Sequence, residues 1–329
     1  MAQAGAGAGH GSVEAAPAPV LVLDAGGTAC RWAMAAADGQ WLAQGEVAPF
    51  TASQAGADDG SMLLARVLAP LTRALSGHPA PGTLWLGLTG LDPRQAPLLA
   101  RRLGPALGWP GVRALVFSDI ELACRAHWAP GEGYVLYAGT GAIAGFIDAQ
   151  DDWHRAGGRG VLIDDAGGGH WIARQALQQV WRQEDAQPGS WRQSAMACAL
   201  LTRMGQPANK LAPHSASPDP WDTTRRWLAN ASRGQVGELA LAVAEAAAID
   251  PQAVALLHTA GTELARPALA LCQRFGPRPL ALAGRVWLLH PAVRRGLEAA
   301  LPAGLTLRAM GEAVHLAAAR RAALGQCRP

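Results

Sequence analysis

Lysine is almost missing from this chain. Lys210 is the only one in 329 residues, and every other basic side chain apart from histidine is an arginine. The skew accompanies abundant Ala and Gly and reads as a coding bias without functional meaning. Clustered charge is missing too. Charged residues make up 16% of the chain, the net charge is +3, and no run of basic residues forms a patch for nucleic acid or a membrane surface. Small molecules are therefore the expected partners. Paired cysteines are absent: Cys30, Cys124, Cys198, Cys272 and Cys327 are odd in number and none sits at C-x-x-C spacing. This argues against a disulfide framework, a zinc knuckle or an iron–sulfur cassette, and fits reduced thiols in a cytoplasmic protein. No stretch of 18 apolar residues runs without a charge or a breaker, so no membrane span is expected. Residues 1–19, rich in Ala, Gly and Pro, lack the basic start and apolar core of a secretory signal and read as a disordered tail. The nine histidines form no metal-binding pair, and no G-x-S-x-G elbow or Walker A string occurs.

What is present suits two domains. Half of the residues are hydrophobic, enough for a sizeable core at this length. Val20–Leu23, Arg31–Ala36 and Trp41–Val47 read as a three-strand meander, followed by a helix over Ser61–Leu75 with Leu64, Val67, Leu68 and Leu71 on one face. A strand at Thr83–Leu88, a helix at Pro97–Leu107, a strand at Arg113–Phe117 and a helix at Ile120–Trp128 continue the first half. The second half opens as the first does, with strands at Tyr134–Tyr137 and Ile143–Ile147 around a glycine turn. Two strand–glycine turn–strand units thus lie about 115 residues apart, an internal duplication of pattern rather than of sequence. A glycine-dense segment, Gly157–Gly169, precedes a helix over Trp171–Trp181. Residues 191–271 read as mainly helical, broken by a surface loop near 206–220. A buried strand at Pro279–Ala283, a short strand at Thr306–Arg308 and helices at Pro291–Ala300 and Glu312–Ala323 close the chain.

Five segments carry candidate chemistry. In Asp24-Ala25-Gly26-Gly27-Thr28 the glycines let backbone amides approach a phosphate, Thr28 adds a hydroxyl, and Asp24 at the strand end is a candidate Mg²⁺ ligand, directly or through water. The turn opens a strand rather than a helix, which excludes a Rossmann fingerprint. Gly139-Thr140-Gly141 repeats the arrangement. Asp119, between a strand and a helix, suits a general base for phosphoryl transfer to a hydroxyl, and equally a first-turn helix acid. Gly157-Gly158-Arg159-Gly160 with Asp164-Asp165-Ala166-Gly167-Gly168 points to backbone packed against a ligand, with Asp165 as an acceptor for a polyol; the alternative is a flexible loop with a solvated acid pair. Gly284, after the Pro279–Ala283 strand, leaves room for an adenine to lie flat on the backbone, and is otherwise an ordinary strand-to-helix turn.

In this order the segments resemble the N-acetylglucosamine kinase and BadF/BadG/BcrA/BcrD-type ATPase family of the actin/hexokinase/Hsp70 superfamily, over about residues 20–325. The family's two phosphate loops are similar to Leu23–Thr28 and Gly139–Ala142, its catalytic aspartate to Asp119, its G-G-W-G and D-E-G-S segments to Gly157–Gly160 and Asp164–Gly168, and its adenosine segment A-G-G-V to Ala283–Val286. The resemblance implies an α/β fold of two RNase-H-like (actin-like ATPase) domains around a nucleotide cleft: residues 20–118, then 119–310, with a helix at about 311–326 returning to the first. It implies ATP and Mg²⁺, a sugar substrate, Asp119 as base, Thr28 and Thr140 on phosphates, and Asp165 and the Gly158 region on the sugar. A homodimer is common among such relatives. Three departures fall on the sugar side: Arg159 replaces the Trp, Ala166 the acid and Gly168 the serine, and no sugar-contacting Asn is evident in Ala48–Ser53. The expected function is an amino-sugar kinase. The alternatives are a nucleotide- or sugar-binding protein that has lost catalysis, or an activator ATPase of a 2-hydroxyacyl-CoA dehydratase system.

Overall fold

The computed structural model describes residues 17–206 and 219–327. Residues 1–16 of the expected tail and 207–218 of the expected surface loop, with Lys210, lie outside the described residues. The chain divides into two compact units. One takes the residues up to Phe117 together with Ala319–Cys327, and the other takes Ser118–Ala318.

The first unit is built on one mixed sheet. Its central strand β1 (Val20–Ala25) is apolar and buried along nearly its whole length, as a strand covered on both faces must be. β2 (Cys30–Ala35) pairs with it antiparallel, from Val20↔Ala35 to Ala25↔Cys30, and β3 (Trp41–Val47) pairs with β2 at the edge. β4 (Thr83–Leu88) lies parallel to β1 on its other side, with Asp24 opposite Gly87, and β5 (Arg113–Ser118) completes the order β3-β2-β1-β4-β5. The crossovers carry α1 (Ala52–Gly56), α2 (Gly60–Ala74) and α3 (Ala96–Ala106), which bury Leu64, Leu68, Leu71, Leu99 and Leu103 at helical spacing. The C-terminal segment packs back here: Arg320 lies 4.3 Å over the Trp41 ring.

The second unit repeats the strand order. β6 (Tyr134–Ala138) is central; β7 (Ala142–Ile147) and β8 (Trp153–Gly157) extend it antiparallel, and β9 (Leu280–Gly284) pairs parallel with β6, with β10 (Leu307–Ala309) parallel to β9. Read from the meander side, the order is β8-β7-β6-β9-β10, strand for strand that of the first sheet. The duplicated pattern in the sequence is therefore a duplicated topology. Helices α4 (Asp119–His127), α5 (Gly169–Ala186), α6 (Ala195–Arg203), α7 (Pro220–Asn230), α8 (Arg233–Ala246), α9 (Pro251–Phe275) and α10 (Pro291–Ala300) surround the sheet, and α11 (Val314–Ala323) runs from this unit into the first. α9 is the longest element. Asp250 caps its start by accepting from the Gln252 amide at 2.9 Å, and a stripe from Ala253 through Leu257, Ala260, Leu264 and Ala268 to Leu271 is buried. Gly261 and Gly296 let α9 and α10 touch backbone to backbone: a Cβ at Gly261 would run into the Val293 carbonyl, and one at Gly296 into the His258 carbonyl.

Two elements were not expected from the sequence. β8 is a short edge strand carrying His154 and Arg155, and its final Gly157 belongs to the glycine run. α1 is five residues long and held by a capping box between Thr51 and Gln54.

Candidate functional site

In the first unit, Asp24 stands near the end of β1, half-buried, with the turn beyond it exposed at Gly27 and Thr28. The Gly26 amide donates to the Ala29 carbonyl at 2.9 Å, which closes the turn. The turn's glycines are not dictated by crowding. A Cβ at Gly27 would meet nothing within 4 Å, and one at Gly26 would make an ordinary 3.6 Å contact. Neither has a left-handed backbone. The space they leave lies on the outer surface of the turn, where a ligand's oxygens can approach the amides. Beside the turn, Cys30 is pushed up to about 12 by burial and by the nearby Asp24 and Glu46 carboxylates, so it stays a thiol.

Asp119 is the first residue of α4. Ser118 caps that helix, its hydroxyl accepting from the Glu121 amide at 3.2 Å, and Asp119 Oδ1 accepts from the Ile120 amide at 2.9 Å. Deeper in α4 a buried Arg125 holds Glu121 at 3.0 Å and Asp151 at 3.0 Å. Burial raises the Glu121 pKa, with Arg125 opposing. This buried network secures the helix that presents Asp119.

The second unit gathers four widely spaced segments around the β6–β7 turn. Gly139 donates its amide to the Gly141 carbonyl at 2.9 Å to form the turn. On one side lies Gly284, at the end of β9 and opposite Ala138, with φ +81° and a Cβ position blocked by the Ala138 carbonyl. On the other side lie Gly157, the last residue of β8, and Gly158 after it, both left-handed; the Gly158 amide donates to the Ala142 carbonyl at 2.9 Å. Above the turn sits the glycine-dense segment. A Cβ at Gly168 would lie 2.7 Å from the Gly141 carbonyl carbon. The first two amides of α5, Gly169 and His170, donate to the carbonyls of Gly139 and Thr140 at 2.8 and 3.0 Å, so the hairpin caps that helix. From α8, Gly237 packs against Thr140, leaving 3.1 Å between its Cβ position and the threonine methyl.

The acid pair is not solvated. Asp164 forms an ion pair with Arg266 of α9. Asp165 is 3% exposed and adopts a left-handed backbone with φ 53°. Its Oδ1 accepts from the Gly160 amide at 3.1 Å and its Oδ2 pairs with Arg233 at 2.8 Å. Both carboxylate oxygens therefore have protein partners, and burial leaves little of the carboxylate open to a ligand. Arg159 is exposed on the segment's outer side.

Two residues at this turn were not assigned a role from the sequence. Arg233, the first residue of α8, reaches the hairpin: a Cβ at Gly141 would lie 2.6 Å from its guanidinium and would run into Asp165 Oδ2. His170 has a buried Nδ1 without a hydrogen-bond partner. Its pKa is lowered by burial and then by the Arg233 and Arg174 charges, while Asp165 opposes. The Ser232–Gln235 capping box marks the start of α8 in the sequence, but nothing local tells that this start lies against residues 139–141.

No protein-family model and no curated protein matches the chain in sequence. Solved structures match its fold. A Chromobacterium violaceum protein assigned as an N-acetylglucosamine kinase is 26% identical, with a TM-score of 0.67 over 94% of this chain and 99% of that one. A Porphyromonas gingivalis protein with the same assignment is 18% identical, with a TM-score of 0.68 over 92% and 98%. A ROK family glucokinase of Streptomyces griseus, determined with glucose and AMPPNP, is 17% identical, with a TM-score of 0.56 over 92% and 98%. The chain has the two-sheet α/β fold of these actin-like sugar kinases. Among the described residues no helix is long and apolar enough to cross a membrane.

Proposed function

We propose that the chain is an ATP-dependent kinase that phosphorylates a hydroxyl of an amino sugar: N-acetylglucosamine, glucosamine or a relative. The observation that carries this reading is the convergence, within the second unit, of Gly139–Gly141, Gly157–Gly158, Asp165 and Gly284 on one turn, although they are spread over 146 positions of the sequence. The likeness in fold to solved sugar kinases supports it.

The roles follow from chemistry. The Gly26–Thr28 and Gly139–Gly141 turns offer amides and hydroxyls to the nucleotide's phosphates, and the backbone at Gly284 serves the adenosine. Asp24, a half-buried carboxylate beside an open turn, fits a Mg²⁺ ligand, directly or through water. When bound, the ion neutralises phosphate charge. Asp119 receives the proton of the attacking hydroxyl; the Ile120 amide on Oδ1 fixes the direction of its carboxylate. Gly157, Gly158 and Arg159 border the sugar. Asp165 belongs to that border through the Gly160 amide that it holds.

The test is ADP release with Mg²⁺ across a panel of hexoses and amino sugars. Sugar-dependent release is expected, and a panel without any response defeats the reading. Asp119→Asn is expected to lower turnover by about 10²- to 10⁴-fold while nucleotide binding persists. Arg159→Trp is expected to shift preference towards N-acetylglucosamine, since Arg159 stands where the family that the sequence resembles has a tryptophan. A second reading, binding without catalysis, draws on Ala166 and Gly168, which stand where the family that the sequence resembles has an acid and a serine. Sugar binding without ADP release would favour it.

A further inference from the structure

A phosphate site made of backbone amides alone leaves most of a triphosphate's charge uncompensated. The P-loop solution is a lysine that reaches the terminal phosphates. This chain has one lysine, at position 210, outside the described residues. The second turn nevertheless has cations beside it. Arg233 lies against Gly141, with its side chain 53% exposed. Arg174 stands one helical turn beyond His170 on α5, close enough to influence that ring. Of the charges that act on the His170 ring, two are guanidiniums, Arg233 and Arg174, and one is a carboxylate, Asp165.

Arg233 is also pre-oriented. A free arginine gives up rotamer freedom when it binds an anion. Here Asp165 takes one guanidinium nitrogen at 2.8 Å from a nearly sealed position, 4% exposed, while about half of the arginine side chain remains exposed. Asp165 is itself fixed by the Gly160 amide and by its left-handed backbone. The guanidinium offers paired N–H donors in a plane, which matches two oxygens of a phosphate.

We propose that Arg233 is the phosphate-binding cation of the second turn, with Asp165 as the positioning residue that holds its guanidinium over Gly141. The proposal rests on the kinase reading and adds to it a ligand for the nucleotide's phosphate chain. It predicts that the two residues act as a pair, and that their contribution depends on phosphate rather than on adenosine.

The experiment measures calorimetric affinities of wild type, Arg233→Gln, Arg233→Lys and Asp165→Asn for AMPPNP with Mg²⁺ and for adenosine. Arg233→Gln is expected to weaken AMPPNP by about 10- to 100-fold, the loss of a charge-assisted bond, and to leave adenosine unchanged. Arg233→Lys recovers part of the loss, and Asp165→Asn loses less than Arg233→Gln because the cation remains but is no longer held. Unchanged AMPPNP affinity in Arg233→Gln overturns the proposal and leaves the kinase reading standing. An equal fall for AMPPNP and adenosine also overturns it, since that marks a structural role. If wild type binds neither ligand, the nucleotide reading fails and the proposal with it. Should Arg233→Gln fail to fold, the double variant Asp165→Asn/Arg233→Gln, which leaves no buried carboxylate without its cation, is measured in its place.

Discussion

The two glycine turns occupy equivalent places in sheets of the same topology, yet glycine is there for different reasons. At the Asp24 turn, the Cβ positions of Gly26 and Gly27 are open. At the β6–β7 turn, every glycine is hemmed in by the protein: Gly139 by the Tyr137 ring, Gly141 by Asp165 and Arg233, and Gly168 by the turn itself. The first turn keeps its space for something outside the chain. The second has spent its space on two helix starts and on a buried carboxylate with its half-exposed arginine. The same short motif can thus stand open in one half and be tied into its surroundings in the other. The strand order is the same in the two halves, while the neighbours of the turn differ.

Substitutions can break this contrast. The largest effect is expected at Gly141→Ala, whose methyl would collide with a buried carboxylate; denaturant unfolding should show a loss of about 3 kcal/mol or more. Gly27→Ala is the counterpart and should leave stability within about 0.5 kcal/mol, any effect appearing only in nucleotide affinity. Equal losses at both positions would dissolve the distinction. Next comes Asp165→Asn, which keeps a residue that tolerates the left-handed backbone and removes only charge; a loss of about 1–3 kcal/mol is expected, because the arginine left behind is half-exposed. The smallest effect is a pH dependence at His170. Its folded pKa lies below the ordinary 6.5. Below about pH 6.5 the unfolded chain therefore takes up a proton that the folded ring resists, and stability falls with pH until the folded pKa is passed. His170→Gln should flatten that slope in urea titrations between pH 7 and 5, and an unaltered slope would place the titration elsewhere.

Much of the fold could be read from the sequence because apolar runs and turn residues coincide. Val20–Leu23 and Leu280–Leu282 are continuous apolar stretches; the first lies in the central strand of its sheet and the second in an interior strand beside the centre. β8 was hidden because an edge strand pairs on one side only and tolerates His154 and Arg155, and because Gly157 joined it to the glycine run. α1 carries a legible Thr51-x-x-Gln54 box but is too short to show a period. At the site, the glycines and Asp165 stood out by type and order. Arg233 did not, because its partner is 68 residues away and only the packing of α8 against α5 brings them together. Local patterns reveal the turn, and tertiary contacts supply its charge.

The hydrogen bonds from the Gly169 and His170 amides to the hairpin carbonyls have a kinetic meaning. Lifting the Gly139–Gly141 turn would break both of these bonds and uncap the start of an 18-residue helix, besides opening the turn itself. At the Asp24 turn the Gly26 amide donates to the Ala29 carbonyl and the Thr89 amide to the Ala25 carbonyl, and neither donor belongs to a helix. On the kinase reading, product release is then expected to proceed by loosening at the Asp24 turn, while the Gly139 turn stays in place from one catalytic cycle to the next.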